Sequence, residues 1–110
     1  LDGLTLEIAQ IIINIFKEVY NIEIFIKEPN DIVYKNKKIG GILTQTKIKG
    51  ENVKALVVGI GINTSKTKFN KEIIDIATSI KKEFNIDINI EQFIEEFCIR
   101  FEKSILERIN

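Results

Sequence analysis

Lys27 is the residue whose setting most directly suggests chemistry. It ends a stretch of alternating apolar and polar residues, and two positions later Pro29 fixes the direction of the backbone. A lysine held on such a rigid base can neutralise a substrate carboxylate, and then the charge that develops when that carboxylate attacks a nucleotide phosphorus. An ordinary solvated lysine at a strand end has the same local sequence. Asn30 and Asp31 complete a Pro-Asn-Asp sequence that is equally common in plain turns.

Two pairs of glycines interrupt sequences that otherwise have the character of strands. Gly40 and Gly41 are adjacent, whereas Gly59 and Gly61 alternate and share one face of a strand that ends at the polar Asn63. Glycine in a strand often marks the close approach of a ligand or another backbone, and a bulge or packing constraint explains the first pair equally well. The second pair lacks the remaining features of a dinucleotide-binding or phosphate-binding loop. The glycines therefore predict a bare groove, suited to a flat apolar ligand with a carboxylate and to other ligands as well.

Three helices are predicted from apolar residues that recur at helical spacing. They cover residues 4–20, 71–84 and 90–109. The last one carries an apolar stripe formed by Ile94, Phe97, Phe101 and Ile105. Cys98 lies in the same helix, and because it is the single cysteine of the sequence it cannot form an internal disulfide. We expect it to be a small buried side chain.

Strand patterns account for most of the sequence between the first two helices. The predicted strands are residues 22–27, 32–34, 38–46 and 54–63. The middle two form a hairpin around the polar turn 35–37, and the second turn is at 49–52. Residues 54–63 form an almost continuous apolar run, which is typical of a strand covered on both faces, so we expect them at the centre of the sheet. The order of elements predicts an α+β fold with a mixed, mostly antiparallel sheet packed with helices.

Composition narrows the class of protein. Hydrophobic residues make up 45% of the 110 residues and charged residues 29%, which is typical of a globular domain and not of a disordered segment. The formal net charge is +0, so no overall positive field attracts nucleic acid. Charges interrupt the most hydrophobic segment and no leader pattern is present, so we expect neither a membrane partner nor export, and a cytoplasmic location. Because histidine is absent, chemistry must use lysine, carboxylates or backbone groups.

Three motifs, taken together, resemble one family. They are Lys27-Glu28-Pro29-Asn30-Asp31, Lys38-Ile39-Gly40-Gly41-Ile42-Leu43 and Val58-Gly59-Ile60-Gly61-Ile62-Asn63. Their order and spacing are similar to those of the Lys-Trp-Pro-Asn-Asp, Lys-Ile-x-Gly-Ile-Leu and Gly-x-Gly-Ile-Asn motifs of biotin protein ligases. The resemblance covers nearly the whole chain and implies the sheet that this family shares with class II aminoacyl-tRNA synthetases. It identifies residues 1–110 as the distal part of the catalytic domain, without the upstream half that carries the adenylate loop.

The resemblance also implies an activity and its residues. The family uses ATP and Mg²⁺ to convert biotin into biotinyl-5′-adenylate, then transfers biotin to a lysine of a carboxylase's biotin carboxyl carrier domain. Lys27 would be the catalytic lysine that holds the biotin carboxylate and the adenylate phosphate. The remaining biotin-binding residues would be Gly41, Ile42, Leu43, Gly59 and Gly61. ATP would contact Asn30 and Asn63, with Asn63 also near the metal, and a homodimer formed through the sheet is compatible with the family.

Two other interpretations remain open. Glu28 stands where the family has tryptophan, Gln45 stands where it usually has an acidic residue, and the arginine-rich adenylate loop is not contained in residues 1–110. Without that loop the chain would be a ligase-like binding or structural module that lacks turnover. A lipoate protein ligase would share the fold, but the two glycine motifs are more similar to the biotin branch.

Overall fold

The structure is a computed structural model that describes residues 2–109, apart from the side chains of residues 2, 53, 54, 108 and 109. Its elements confirm the predicted α+β class. In chain order they are α1 (Asp2–Tyr20), β1 (Phe25–Lys27), β2 (Asp31–Tyr34), β3 (Lys37–Lys49), β4 (Asn52–Ile62), α2 (Ile80–Phe84) and α3 (Ile90–Ile109).

Helix α1 supplies most of the core because its apolar residues recur on one face. Ile8, Ile12, Ile15 and Phe16 are all fully buried. The helix ends where Asn21 adopts a left-handed conformation with φ of 57°, which asparagine tolerates. The N–H of Ile22 then donates to the carbonyl of Phe16 over 2.9 Å and closes the end of the helix. This turn directs the chain into the sheet, with regular pairing confined to β1 instead of the whole predicted segment 22–27.

The four strands form an antiparallel meander in the order β1-β2-β3-β4. A two-residue turn joins β2 to β3, and its residues Lys35 and Asn36 both have positive φ, as the twist of a tight hairpin requires. Gly50, with φ of 64°, lies in the turn between β3 and β4. The predicted hairpin and the second predicted turn are therefore confirmed.

The prediction that residues 54–63 lie at the centre of the sheet is wrong for the described part of the chain. β4 is the last strand in the sheet order and pairs on one side, with β3. Leu56, Val57 and Ile60 are 39%, 46% and 37% exposed. The apolar run correctly indicated a strand. Its composition shows that the strand is suited to apolar contacts, but it does not show how many neighbouring strands the described residues supply.

The predicted helix over residues 71–84 is also wrong, since α2 covers Ile80–Phe84 alone. The backbone before it is used elsewhere: the N–H of Lys38 donates to the carbonyl of Ile76 over 2.8 Å, and the N–H of Thr78 donates to the carbonyl of Lys38 over 2.9 Å. Residues 76–78 thus run alongside the beginning of β3, beyond the end of β4. Ser79 then begins α2 by accepting a hydrogen bond from the N–H of Lys82 over 3.0 Å.

Helix α3 packs against α1 on one face of the sheet. The ring centroids of Phe16 and Phe93 are 5.0 Å apart, and Phe93 is 9% exposed. Ile94, which was predicted to lie on the buried stripe, is 55% exposed, because the stripe is rotated by one residue at this end of the helix. Cys98 is exposed, so the prediction that it is buried is wrong. Among the described residues, no helix combines the length and hydropathy needed to span a membrane.

Candidate functional site

One face of the sheet carries a row of residues contributed by all four strands. The strand register pairs Lys27 with Asp31, Asp31 with Gly41, and Gly41 with Gly61. Directly paired residues of an antiparallel sheet project from the same face. Neighbouring strands are roughly 4.8 Å apart, so Lys27 lies roughly 10 Å from Gly41 across one intervening strand. The lysine therefore stands at one end of a row whose other end has no side chains.

The bare part of this face extends along β3 and β4. Gly59 pairs with Leu43, whose side chain is 58% exposed on the same face. A Cβ added at Gly61 would meet no atom within 4 Å, and one added at Gly59 would lie 3.7 Å from the Leu43 carbonyl oxygen, an ordinary contact. Both glycines lack a positive φ. Neither backbone conformation nor packing within the described chain requires glycine at these two positions, so the open space is what distinguishes them.

Gly40 and Gly41 are glycines for different reasons. A Cβ at Gly40 would lie 2.2 Å from the carbonyl oxygen of Gly61, so Gly40 permits the close approach of β3 and β4. A Cβ at Gly41 would be 3.6 Å from the Asn30 carbonyl oxygen, which is compatible with a side chain. The packing explanation considered for the pair therefore applies to Gly40, whereas Gly41 belongs to the open row.

The row forms the floor of a shallow groove made of two adjoining depressions of about 440 and 340 Å³, which share Lys38, Gly41 and Gly61. The first is bordered by Asn30 and Asp31, and the second continues to Asn63 and Ala77. This arrangement provides a long surface in which an apolar group can lie on bare backbone beside Lys38, whereas Lys27 shares the face but does not line either depression.

Lys38 and Asp31 are groove residues that the sequence did not identify as site residues. The ammonium of Lys38 lies 3.3 Å from an Asp31 carboxylate oxygen. A register shift next to Ile32 and Val33 changes the alternation of β3, so Lys38 reaches the same face as Asp31. The bulge has no residue signature of its own in the sequence, although Lys38 is the first residue of its motif.

The two asparagines have different settings. The carbonyl of Asn30 accepts a hydrogen bond of 2.9 Å from the N–H of Ile42. The side chain of Ile42 is 3% exposed and lies in the core, so a ligand on the open face could reach this residue only through its backbone. The side-chain amide of Asn63 donates to the carbonyl of Thr78 over 3.3 Å, and its N–H donates to the carbonyl of Ile39 over 2.8 Å. Asn63 is therefore fixed at the far end of the groove.

The groove does not by itself make a magnesium site. Among the side chains that the structure describes, no three His, Cys, Asp or Glu residues are clustered so that they could hold a metal ion. The carboxylate of Asp31 is paired with Lys38, and Asn63 offers one neutral amide oxygen. Protein sites for Mg²⁺ usually include a carboxylate, together with water and substrate phosphates. The described residues fit the apolar and anionic parts of a ligand better than they fit a metal.

Comparison with known proteins gives a consistent picture. A model of the biotin/lipoate A/B protein ligase family matches residues 3–63. The chain is 35% identical over 102 residues to the bifunctional ligase/repressor BirA of Bacillus subtilis, and 34% identical to that of Bacillus spizizenii. Each match covers 91% of this chain and 31% of the relative, so the chain spans about a third of their length.

Solved structures share the fold. A crystal structure of the biotin protein ligase from Aquifex aeolicus aligns with a TM-score of 0.81 at 25% identity, over 97% of this chain and 47% of that one. The same enzyme in complex with biotin and ATP aligns with a TM-score of 0.79 at 24% identity, over 97% and 44%. Plasmodium falciparum LipL1 in complex with lipoate is more distant, with a TM-score of 0.65 at 22% identity, over 94% and 32%. Because the family match spans more than half of the sequence and contains Lys27, Gly41, Gly59 and Gly61, the chain belongs to the biotin/lipoate A/B protein ligase family.

Proposed function

We propose that this chain is the distal part of a biotin protein ligase domain, which activates biotin with ATP and transfers it to a lysine of a carrier domain. The observation that carries the proposal is the row on the open face, in which Lys27 and the bare backbone at Gly41 and Gly61 share one face of the sheet with Asp31 between them. Biotin carries a fused ureido and thioether ring system on an aliphatic chain that ends in a carboxylate, so it combines apolar surface with one negative charge at its end. Such a ligand matches a bare strand surface with a cation at its end.

In the first step, the biotin carboxylate attacks the α-phosphorus of ATP, a P–O bond forms, and pyrophosphate leaves. The carboxylate and the phosphate are both negative, so an ammonium group between them lowers the cost of their approach and stabilises the charge in the transition state. The ammonium of Lys27 is available for this role because no described carboxylate forms a salt bridge with it. In the second step, the amine of the carrier lysine attacks the acyl carbonyl, and AMP leaves as an amide forms.

The biotin branch is favoured over the lipoate branch by the relatives. The Bacillus subtilis BirA protein is 35% identical in sequence to this chain, and the Aquifex enzyme aligns with it at a TM-score of 0.81. LipL1 is 22% identical and aligns at a TM-score of 0.65. Mg²⁺ would accompany the nucleotide phosphates, since the described residues supply no ligand set for it. The carrier domain, a homodimer and a cytoplasmic location belong to this proposal as consequences of the family resemblance.

A binding module without turnover is the second candidate, and one observation favours it. Among described side chains, the arginine is Arg100, which is paired with Glu18 at 2.9 Å and Glu96 at 2.8 Å on the helical side of the molecule. No described arginine therefore reaches the groove to cover a nucleotide phosphate. In this case biotin would bind to the open face, but ATP would not be consumed.

Titration calorimetry with biotin of a chimera in which this chain replaces the region of the Aquifex aeolicus ligase that it matches, followed by measurement of biotin-dependent pyrophosphate release from ATP by that chimera, separates these candidates. Turnover supports the ligase, whereas heat of binding without pyrophosphate release supports the module. Lys27→Ala should reduce biotin affinity or adenylate formation at least about 100-fold. Lys47→Ala is the matched control, because Lys47 is an exposed lysine near the other end of β3. Equal behaviour of the two variants would remove Lys27 from its assigned role.

A further inference from the structure

The groove continues into a third depression, which the proposed contacts with biotin and ATP leave largely unused. This depression has a volume of about 420 Å³ and lies between the beginning of α1, the turn after β1 and the middle of β3. It adjoins the first depression, because Asn30 and Leu43 line both. Its remaining polar side chains are those of Thr5, Glu28 and Thr44. The groove therefore has a polar extension on the side where β1 turns into β2.

The third depression carries a negative charge that has no counter-charge. Among the described residues that line it, Glu28 alone is charged. No described cation forms a salt bridge with Glu28, whereas Asp31, the carboxylate of the neighbouring depression, is bonded to Lys38. The walls of a concave surface displace water and strengthen the local field of such a charge. The depression is thus suited to a positively charged group.

Two hydroxyl groups extend this preference to a primary ammonium. The Oγ1 atoms of Thr5 and Thr44 lie 3.0 Å apart and share one hydrogen bond, which leaves acceptor lone pairs on these oxygens. An ammonium has three N–H donors, and the carboxylate of Glu28 with the two hydroxyls supplies three acceptors. A divalent metal is matched less well, because the described side chains include no cluster of three metal-ligating residues.

Glu28 also stands where the related motif has tryptophan. An indole ring is large, apolar and uncharged, so it would occupy space that Glu28 leaves open. The difference between this chain and the motif at this position is therefore one of binding chemistry, since open volume and a negative charge replace apolar bulk.

We infer that Glu28 is a positioning residue for the acceptor: its carboxylate binds the ammonium group of the lysine that receives biotin, in the depression formed with Thr5 and Thr44. The Cα atoms of Glu28 and Lys27 are about 3.8 Å apart, so this ammonium arrives beside the residue assigned to the biotin carboxylate. After one proton passes to water, the amine attacks the acyl carbon and a C–N bond forms. The bond from that carbon to the phosphate oxygen breaks, and AMP leaves with its electron pair. The inference rests on the proposed ligase function.

The test uses the chimera with the Aquifex ligase and supplies it with chemically prepared biotinyl-5′-adenylate, so that activation is bypassed. Two small acceptors are compared at neutral pH: Nα-acetyl-lysine amide, whose side chain is cationic, and hydroxylamine, which is uncharged. Glu28→Gln should lower the second-order rate constant for the lysine derivative about three- to fivefold, as expected for an exposed ion pair, and leave that for hydroxylamine unchanged. Glu28→Lys should lower the first constant at least about tenfold, because like charges repel.

Glu51→Gln is the matched control, because Glu51 is exposed in the turn between β3 and β4 and lines none of the three depressions. Salt provides a second control. At about 0.5 M salt the Debye length falls to about 4 Å, so most of the difference between Glu28→Gln and the unmodified chimera should disappear.

A loss that is confined to the cationic acceptor supports the inference. Equal losses with both acceptors, or a Glu28→Gln variant that behaves like Glu51→Gln, overturn it. Weaker binding of biotin to Glu28→Gln in calorimetry would place the ring system of biotin in this depression and would also overturn it. If the chimera does not bind the adenylate at all, the proposed function fails and the inference fails with it. If the adenylate is bound and the Glu28 comparison alone fails, the inference is wrong and the proposed function stands.

Discussion

The two faces of the β3–β4 hairpin have opposite characters although they alternate along the same strands. On the helical face, Ile42 is buried and the hydroxyl of Thr44 lies 3.0 Å from that of Thr5 on α1. On the other face, Gly61 leaves bare backbone and Leu43 is 58% exposed. One face thus holds the chain together, and the other presents a surface that the described fold does not use. Substitutions on the two faces should therefore change different measured quantities.

The largest difference in the free energy of unfolding is expected between substitutions at two adjacent residues that point to opposite faces of the sheet. Ile42→Ala removes a side chain that is 3% exposed and should lower the free energy of unfolding by about 3 kcal/mol. Leu43→Ala removes one that is 58% exposed and should cost less than about 1 kcal/mol. Urea denaturation followed by circular dichroism measures both. Similar losses for the two variants would show that the open face is packed in solution.

The next largest difference in stability is expected between substitutions of Gly40 and of Gly61. Gly40→Ala places a methyl group 2.2 Å from the Gly61 carbonyl oxygen, so the strands must separate, at a cost of about 2–3 kcal/mol. Gly61→Ala meets no atom within 4 Å and should change stability by less than about 1 kcal/mol in either direction. The melting temperatures of the two variants, measured side by side, test this difference. A destabilised Gly61→Ala would mean that packing, and not a ligand, accounts for that glycine.

Gly61→Val has a smaller effect on folding and a specific effect on binding. Valine is favoured in strands, so the fold should be retained. Its branched side chain would fill the floor of the groove and should weaken biotin binding at least about tenfold, which calorimetry measures. Val57→Ala is the control, since Val57 lies on the same face but outside the groove residues. If Gly61→Val binds biotin normally, the ligand does not lie on this row.

The sequence predicted those features that depend on local chemistry. The helices α1 and α3, the turn at Lys35 and Asn36, and the existence of the four strands were confirmed, although Ile94 of the predicted α3 stripe is exposed. Each follows from residues that are close in the chain. The helix predicted over residues 71–84 failed because Thr78 and its neighbours are paired with Lys38, some forty positions away, and helical periodicity carries no information about that pairing.

The candidate site was predictable in its composition but not in its geometry. Lys27, Gly41 and Gly61 could be named from their types and motifs, yet only the register shows that they form one row. The separation of Gly40 from Gly41 required the distance to Gly61, since adjacent glycines look alike in a sequence. Lys38 was missed as a groove residue because a bulge changes the face to which it points.

The smallest effect is expected at Glu28, where the related motif has tryptophan. Glu28 follows β1 in an exposed turn, whereas Lys27 lies on the open row. Water and salt screen an exposed carboxylate strongly, so Glu28→Gln should change biotin affinity by less than about threefold. Asp31→Asn provides the comparison, because Asp31 lies within the row itself, paired in register with Lys27 and bonded to Lys38. Removing that charge frees Lys38 for an anion and should strengthen binding of the biotin carboxylate more than Glu28→Gln does. If calorimetry gives the reverse order, the carboxylate of the ligand approaches Lys27 from the turn and not from the open face.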